Sequence, residues 1–570
     1  MTHAKDPLPP CTTDVKTGVA FQTTDKKLQE LYDTAVSKMA GNIVPFTRSM
    51  KVLVEGGGYA NAWIETQPMG GEMFAKRDVQ VAINNQVVFM LAQREDGRLP
   101  GMVVAGDRAI ERGRAKNPPE GYVWLPEHHL AASFEMFQGY CFPGPAWRVY
   151  FWAGKDRAYL QRLYLTLEAH DAYLWRTRDS DGDGILETWC VWDTGEDGST
   201  RLETRGAPGR WPFEKPPGAD GMPDPENSTG YWFGGFKGEV RVPFASMDIM
   251  AYSYSGRAVL AKIARELDNG KESYWLAQAD QVRRRLIDKL WVAERHACFD
   301  LDCKGRRLDE LVHNNLRCMW YGIFTQEMAD AFVKHHLLNP DEFWTPVPLV
   351  SIAANEPLFR SHSRNDWSGQ PQGLTWQRAV GALENYGHFA EVTLLGRKLI
   401  PVLIRNGCKF TQQLDPQTGE PGGRDGYGPM ILASLEYISR MHGIHLDVEH
   451  GQVWWSGLAE PGRDFTSTQQ WGDTTWVLEC GGGQLCATVN GRETFTASAG
   501  ARIVTDLDGR PIRIVGIDPQ ERRITMKAQS GQWKLTVRPN EAYCLDKPAP
   551  DPFRTAPFDY PFPASPEESR

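Results

Sequence analysis

The chain has 570 residues, 41% of them hydrophobic and 24% charged, and a net charge of −9. That length exceeds one ordinary core and predicts two to four globular domains. The mild acidity and the lack of a basic patch speak against a nucleic-acid partner, and no window approaches the roughly 18 apolar residues of a membrane span. The opening residues, Met1 to Pro7, hold no apolar run of the signal-peptide kind. Ten cysteines lie scattered without a Cys-x-x-Cys pair, the closest being Cys298 with Cys303 and Cys480 with Cys486. They read as reduced core residues, in keeping with a cytoplasmic protein. Oligomeric state is not legible.

Residues 1–19 read as an N-terminal extension. From 20 to 443, amphipathic helices recur, clearest at 26–39, 79–93, 156–176, 246–269, 272–291, 326–336, 377–386, 389–406 and 429–442. Each carries apolar residues at three- and four-residue spacing, as Tyr252, Val259, Leu260, Ile263 and Leu267 do. The loops between them are long and rich in Gly, Pro and Trp, as expected where helix ends present a cleft. Over 444–546 the pattern changes to short alternating runs, including 452–455, 475–478, 502–504, 512–515 and 533–537. Turn signals at Asn490-Gly491, Asp508-Gly509 and Asp518-Pro519 separate them, which predicts an antiparallel, sandwich-like β domain. The tail over 547–570 is proline-rich and expected to lie extended on the surface.

The segment from Asp179 to Ser199 holds seven carboxylates, two tryptophans and four glycines. Tryptophan faces stack on sugar rings, and a carboxylic acid protonates a glycosidic oxygen. The alternative is a solvated acidic loop. Its first part, Asp179-x-Asp181-x-Asp183-Gly184 with Glu187, has calcium-loop spacing, although Cys190 at the twelfth position excludes an EF-hand. These four carboxylates are candidate ligands of a structural Ca²⁺. Otherwise they cap turns or face water. No other cofactor is expected.

Four segments in order resemble the (α/α)6-barrel inverting glycosidases of the trehalase and glycoside hydrolase family 63 group, with its mannosylglycerate- and glucosylglycerate-hydrolase-like relatives. The first is Met73-Phe74-Ala75-Lys76-Arg77-Asp78, followed by Gln93 to Pro100. The resemblance makes Arg77 and Asp78 sugar-gripping residues, while position alone also allows Asp78 to cap the helix that follows. The second, Trp192-Asp193-Thr194-Gly195-Glu196-Asp197-Gly198-Ser199-Thr200-Arg201, is similar to the family's acid motif. It implies Asp197 as general acid, with Trp192 and Asp193 beside the sugar, and Asp193 and Glu196 as neighbours raising its pKa. The third comprises Phe343-Trp344-Thr345-Pro346 and Trp367-Ser368-Gly369-Gln370-Pro371. It implies Trp344, Trp367 and Gln370 in substrate binding, or else loops packed together by Trp and Pro; Ser368 stands where the family has an arginine. The fourth, Phe410-Thr411-Gln412-Gln413-Leu414-Asp415-Pro416 through Pro421, places Gln412 at the family's general-base glutamate. An amide accepts no proton, so either a glutamate has been exchanged for Gln412, or hydrolysis is lost, or another carboxylate activates the water, Asp425 being the nearest candidate substitute before Asp415 and Glu420, with Tyr427 in the adjoining binding segment.

The resemblance implies a mainly α fold, an (α/α)6 toroid with a C-terminal antiparallel β domain. It also implies an inverting hydrolase of an α-linked glucoside-like saccharide or glycoside. An α-L-rhamnosidase-like hydrolase, a polysaccharide lyase or uronide hydrolase on the same barrel, and a carbohydrate-binding protein lacking its base remain as alternatives. The partner expected is a small saccharide, with no nucleic acid and no membrane.

Overall fold

The structure, a computed structural model, describes residues 11–219, 221–362, 365–460, 462–546 and 552–562. Among the described residues, twelve helices of seven residues or more occupy the first three quarters of the chain: α1 (Lys26–Gly41), α2 (Gln67–Phe74), α3 (Val79–Leu91), α4 (Pro143–Trp152), α5 (Arg157–Thr177), α6 (Met247–Leu267), α7 (Glu272–Lys289), α8 (Asn314–Tyr321), α9 (Gln326–Phe332), α10 (Gly373–Glu384), α11 (Phe389–Arg405) and α12 (Gly428–His442). Side-chain caps set several starts. Asp25 accepts from the N–H of Lys27 and Leu28 at 3.1 Å, and Asp156 from that of Ala158 at 2.8 Å.

Every second helix belongs to an inner set. α2 packs on α4, α4 on α6, α6 on α8, α8 on α10, α10 on α12, and α12 returns to α2, so the six form a closed ring of neighbours. Outside it, α3 lies on α2 and α4, α5 on α4 and α6, α7 on α6, α11 on α10 and α12, and α1 on α12. The inner helices α2, α4 and α8 bury nearly every residue. At 8, 10 and 8 residues they are too short for a helical period to stand out, which is why the sequence pattern passes over them.

Two antiparallel sheets follow. β1 (Thr17–Thr23), β2 (Gly443–Asp447), β3 (Gln452–Gly457), β4 (Phe465–Trp471), β5 (Thr474–Gly481), β6 (Gln484–Val489), β7 (Arg492–Ser498), β8 (Ala501–Asp506), β9 (Pro511–Val515), β10 (Arg522–Ala528), β11 (Gly531–Val537), β12 (Glu541–Cys544) and β13 (Pro552–Thr555) build them. One sheet has the order β1-β4-β5-β6-β7-β10-β11, the other β2-β3-β8-β9-β12-β13. The chain is therefore a helical body joined to a substantial antiparallel part, and one continuous apolar core spans both. Two expectations shift. Residues 17–23, divided above between an extension and the helical region, form an edge strand of the C-terminal sheet. Part of the proline-rich tail is likewise a strand, pairing with β12; 547–551 and 563–570 lie outside the described residues. All ten cysteines are free. Among the described residues no helix is long and apolar enough to cross a membrane.

Asn540 fastens the two parts together. At φ 62°, a left-handed conformation that asparagine tolerates, it accepts from the N–H of Ala390 at 2.8 Å and donates to Glu391 at 2.9 Å, fixing the first turn of α11. Asn540→Ala leaves a buried carboxylate short of a donor, and should cost about 2–3 kcal/mol in a urea unfolding series.

Candidate active site

Asp197 stands in a loop whose other two acids are tied down. Asp193 is buried against Arg178 at 2.6 Å and accepts from the backbone N–H of Phe137 at 3.0 Å and Trp189 at 2.9 Å. The Arg178 guanidinium lies 4.3 Å from the Phe137 ring centre and 4.0 Å from that of Trp189. Asp193 therefore anchors the loop and does not face a sugar. Glu196 pairs with Arg201 at 3.0 Å and accepts from Asn314 at 3.0 Å. Burial would raise its pKa, but the charges of Arg201 and Arg317 outweigh this and hold it at about 2. Asp197 has no such cation. Its burial pushes the carboxyl up to about 7, against a 2.6 Å hydrogen bond from Asn365 and with a smaller push from Glu203. The raised acid expected from the sequence is thus present, but Asp193 and Glu196 are not its cause, because each is paired with an arginine. Ser368, at the family's arginine position, clamps the loop: it accepts from the N–H of Thr200 at 2.9 Å and donates to the carbonyl of Gly198 at 2.8 Å.

Asn365 also receives a hydrogen bond from Gln412 at 2.9 Å, and Gln412 accepts one from the Tyr59 hydroxyl at 2.8 Å. The two positions singled out by motif, Asp197 and Gln412, therefore meet across one asparagine. Tyr427 sets its ring edge-on to Tyr59 at 6.3 Å, and its phenol is hydrogen-bonded to Glu55.

Glu55 and Glu65 are the residues that the sequence reading missed. Glu55, 3% exposed, is driven well above the usual carboxylate range by burial and by the neighbouring Glu65 charge. Burial also raises Glu65 to about 7, with the Arg378 charge opposing and the Asp197 charge adding. One Glu65 oxygen accepts from Gln138 at 3.1 Å, while the other is buried without a hydrogen-bond partner. A Cβ on Gly195 (φ +71°) would stand 2.1 Å from that second oxygen, so the acid loop approaches Glu65 as closely as it does only because residue 195 has no side chain. A signal for Glu55 did exist: a lone glutamate closes the apolar run Val52-Leu53-Val54 and precedes Gly56-Gly57-Gly58, all three at positive φ.

The remaining candidates separate. Trp192 is half-buried, with its carbonyl accepting from the Gln138 N–H at 3.0 Å and its ring edge-on to Phe233 at 6.3 Å. Trp367 donates its backbone N–H to the Asp197 carbonyl at 2.9 Å and is buried between His313 and Arg317, supporting the cluster from below. Gln370 is buried nearby, its amide oxygen without a partner. Asp78 caps α3 by accepting from the Val81 N–H at 3.0 Å. With Arg77, beside Lys76 and Glu436, it lies past the C-terminal end of α2, whereas Glu65 lies before its start; neither residue joins Asp197. Trp344 is packed in the core under Lys398 of α11. Asp425 turns to α1, pairing with Lys38 at 2.6 Å and accepting from the Phe410 N–H at 2.9 Å, and is not brought to Asp197. Of the calcium candidates, Asp179, Asp181 and Asp183 hold carboxylate oxygens within 4.8 Å of one another. Glu187 leaves the set, accepting instead from Ser180 at 2.8 Å and Trp189 Nε1 at 2.7 Å.

Residues 69–428 match the family profile described as the mannosylglycerate hydrolase MGH1-like glycoside hydrolase domain. Among solved structures, a GH63 mannosylglycerate hydrolase from Thermus thermophilus in complex with glucose is similar over 71% of this chain and 99% of its own, at 16% identity and a TM-score of 0.54. A structure described as a sialidase is similar over 85% of this chain and 41% of its own, at 14% identity and a TM-score of 0.59. A GH78 rhamnosidase of Bacillus sp. GL1 gives 83% and 42%, at 10% identity and a TM-score of 0.51. No individually curated protein matches.

Because the folded pKa of Asp197 lies above its unfolded value, its protonated form favours folding at low pH, and that contribution is lost as pH rises through about 7. Asp197→Asn, neutral at every pH, should therefore stabilise the protein by roughly 2–4 kcal/mol at pH 8.5 and by almost nothing at pH 4, read from denaturant unfolding at both values.

Proposed function

We propose that this chain, a glycosidase belonging to the mannosylglycerate hydrolase MGH1-like glycoside hydrolase family, cleaves an α-linked glucoside-like saccharide or glycoside with inversion at the anomeric carbon. The closed cycle of inner helices inside an outer set supports an (α/α)6 toroid as its frame. The residues before or at the starts of α2, α4, α6, α8, α10 and α12 supply the cluster, in the manner of a cleft built at one end of a ring.

The observation that carries the reading is Asp197, half-buried, raised to about 7 and linked through Asn365 to Gln412. In this role Asp197 gives its proton to the departing glycosidic oxygen. The base on the opposite face is Glu65, whose second oxygen has no partner and whose charged form Gln138, Arg378 and Arg317 favour. It takes the proton from the attacking water. Inverting pairs stand roughly 6.5–9.5 Å apart to leave room for that water. Gln412 keeps the place of the family's base but acts as a positioning residue, accepting from Tyr59 and donating to Asn365. Glu55, kept protonated by burial, offers a donor to a sugar hydroxyl. Two buried glutamates beside the acid favour a hydrolase over a binding protein that has lost its base.

An NMR time course over a panel of α-linked disaccharides and aryl glycosides should show release of the β-anomer first; initial release of the α-anomer would reject inversion. Asp197→Asn and Glu65→Gln should each lower turnover by roughly a hundredfold or more, whereas Asp425→Ala should stay within about threefold if the protein remains folded. A Glu65→Gln variant with normal turnover beside a dead Asp425→Ala would return the base to Asp425.

A further inference from the structure

The far ends of five of the six inner helices, and the middle of α6, meet a second polar space. A cavity of about 440 Å³ lies between them and the sheet that begins with β2, lined by Lys76 beyond α2, Trp152, Ser255, Trp320, Glu384 and Arg440 from the other five helices. Its volume is that of a small-molecule site, and it is a different place from the cluster around Asp197.

The carboxylates on its walls are engaged. Glu384 pairs with Arg440 at 3.1 Å and Arg502 at 2.9 Å, and Glu436 with Lys76 at 2.5 Å and Arg440 at 2.7 Å. Glu72 pairs with Arg148 at 3.1 Å, Glu449 with Lys262 at 2.7 Å, and Asp447 with His450 at 2.9 Å. Two cations on the sheet side are left over. Arg513 of β9 donates to the Gln452 amide and Arg554 of β13 to the Asn385 carbonyl, and among the described residues no carboxylate lies within ion-pair reach of either. They are close enough that burial and the Arg513 charge lower the pKa of Arg554.

Unpaired donors accompany them. Arg440 Nη2 lies 3.4 Å from His445 Nε2. A guanidinium only donates, so Nε2 accepts and the ring proton sits on Nδ1. Burial and the charges of Arg440, Lys76 and Arg502 keep this imidazole neutral. His445 Nδ1, Trp454 Nε1 and Arg513 Nε are all buried without a hydrogen-bond partner, and all three residues line the cavity. Buried donors left in this state are exceptions that call for an acceptor.

We propose that this cavity is a second binding site, taking a small organic anion of about monosaccharide size whose phosphate or carboxylate group is held by Arg513 and Arg554, with His445 and Trp454 as further donors. Planar guanidinium forks match both oxyanions.

Titration calorimetry and thermal unfolding of the full chain with glucose 6-phosphate, glucuronate and inorganic phosphate, against neutral glucose, test the site. Saturable binding of an anion is expected, weakened at least tenfold in Arg513→Gln and in Arg554→Gln, weakened severalfold in Trp454→Phe, and unchanged in Asp197→Asn. Preference for glucose 6-phosphate would assign a phosphate site and preference for glucuronate a carboxylate site, each supporting the proposal. Absence of saturable binding, binding that survives both arginine substitutions, or binding lost in Asp197→Asn would overturn it. The arginine variants keep their hydrolytic activity, which separates failure of this site from failure of the active-site reading.

Discussion

A ring of helices with almost no solvent-facing side has to place its polar groups at its two ends. The inner helices α2, α4 and α8 bury nearly all of their residues, and α10 and α12 most of theirs. Side chains that carry charge are therefore driven to the loops before the helices or to their last turns, where they meet one another. At the starting ends this concentrates Glu55, Glu65, Glu196, Asp197 and Asp248 in one region, held by Arg201, Arg317 and Arg378. At the far ends it concentrates Lys76, Glu384, Glu436 and Arg440 against the sheet. Chemistry at one end and a charged seam at the other both follow from the same burial.

The acid loop holds three carboxylates at most four residues apart, and the adjacent Glu196 and Asp197 shift in opposite directions. What separates them is which guanidinium each one reaches: Arg178 for Asp193, Arg201 for Glu196 and none for Asp197. In a region that excludes water, one direct pair outweighs several more distant like charges, because both desolvation and Coulomb attraction grow steeply there. Proximity in sequence consequently says little about which acid is poised to give up a proton.

The outer helices α1, α5, α7 and α11 were legible because each keeps one wet face, and α3, with 11 of its 13 residues buried, because its apolar run is long. Their inner neighbours α2, α4 and α8 were not, since each is only 8 to 10 residues long. The strand pattern from β3 to β11 was legible for the same reason as the outer helices. Asp197 and Gln412 were found because their motifs are local in the chain, and the structure joins them through Asn365. Glu55 and Glu65 escaped because a single glutamate in an apolar run carries no periodic signal, and its partners are more than 70 residues away. Asp78 shows the converse: an aspartate before a helix satisfies local geometry on its own, so the segment resembled a sugar-binding motif while serving as a cap. The calcium-like spacing at Asp179, Asp181 and Asp183 describes a tight loop well but does not extend to Glu187, whose two oxygens find Ser180 and Trp189.

Strand β1 pairs with β4, Thr23 opposite Phe465, so the first regular element among the described residues finds its place only beside one made more than four hundred residues later. At synthesis rates of about 5–20 residues per second, roughly 20–90 s pass before its partner exists. During that time the edge it will complete is missing and its own backbone donors and acceptors are met by water. The ring of helices can begin to assemble from local contacts, but the molecule cannot set β1 in place until β4 is made. Its beginning is thereby held to the same slow, non-local step as its final sheet.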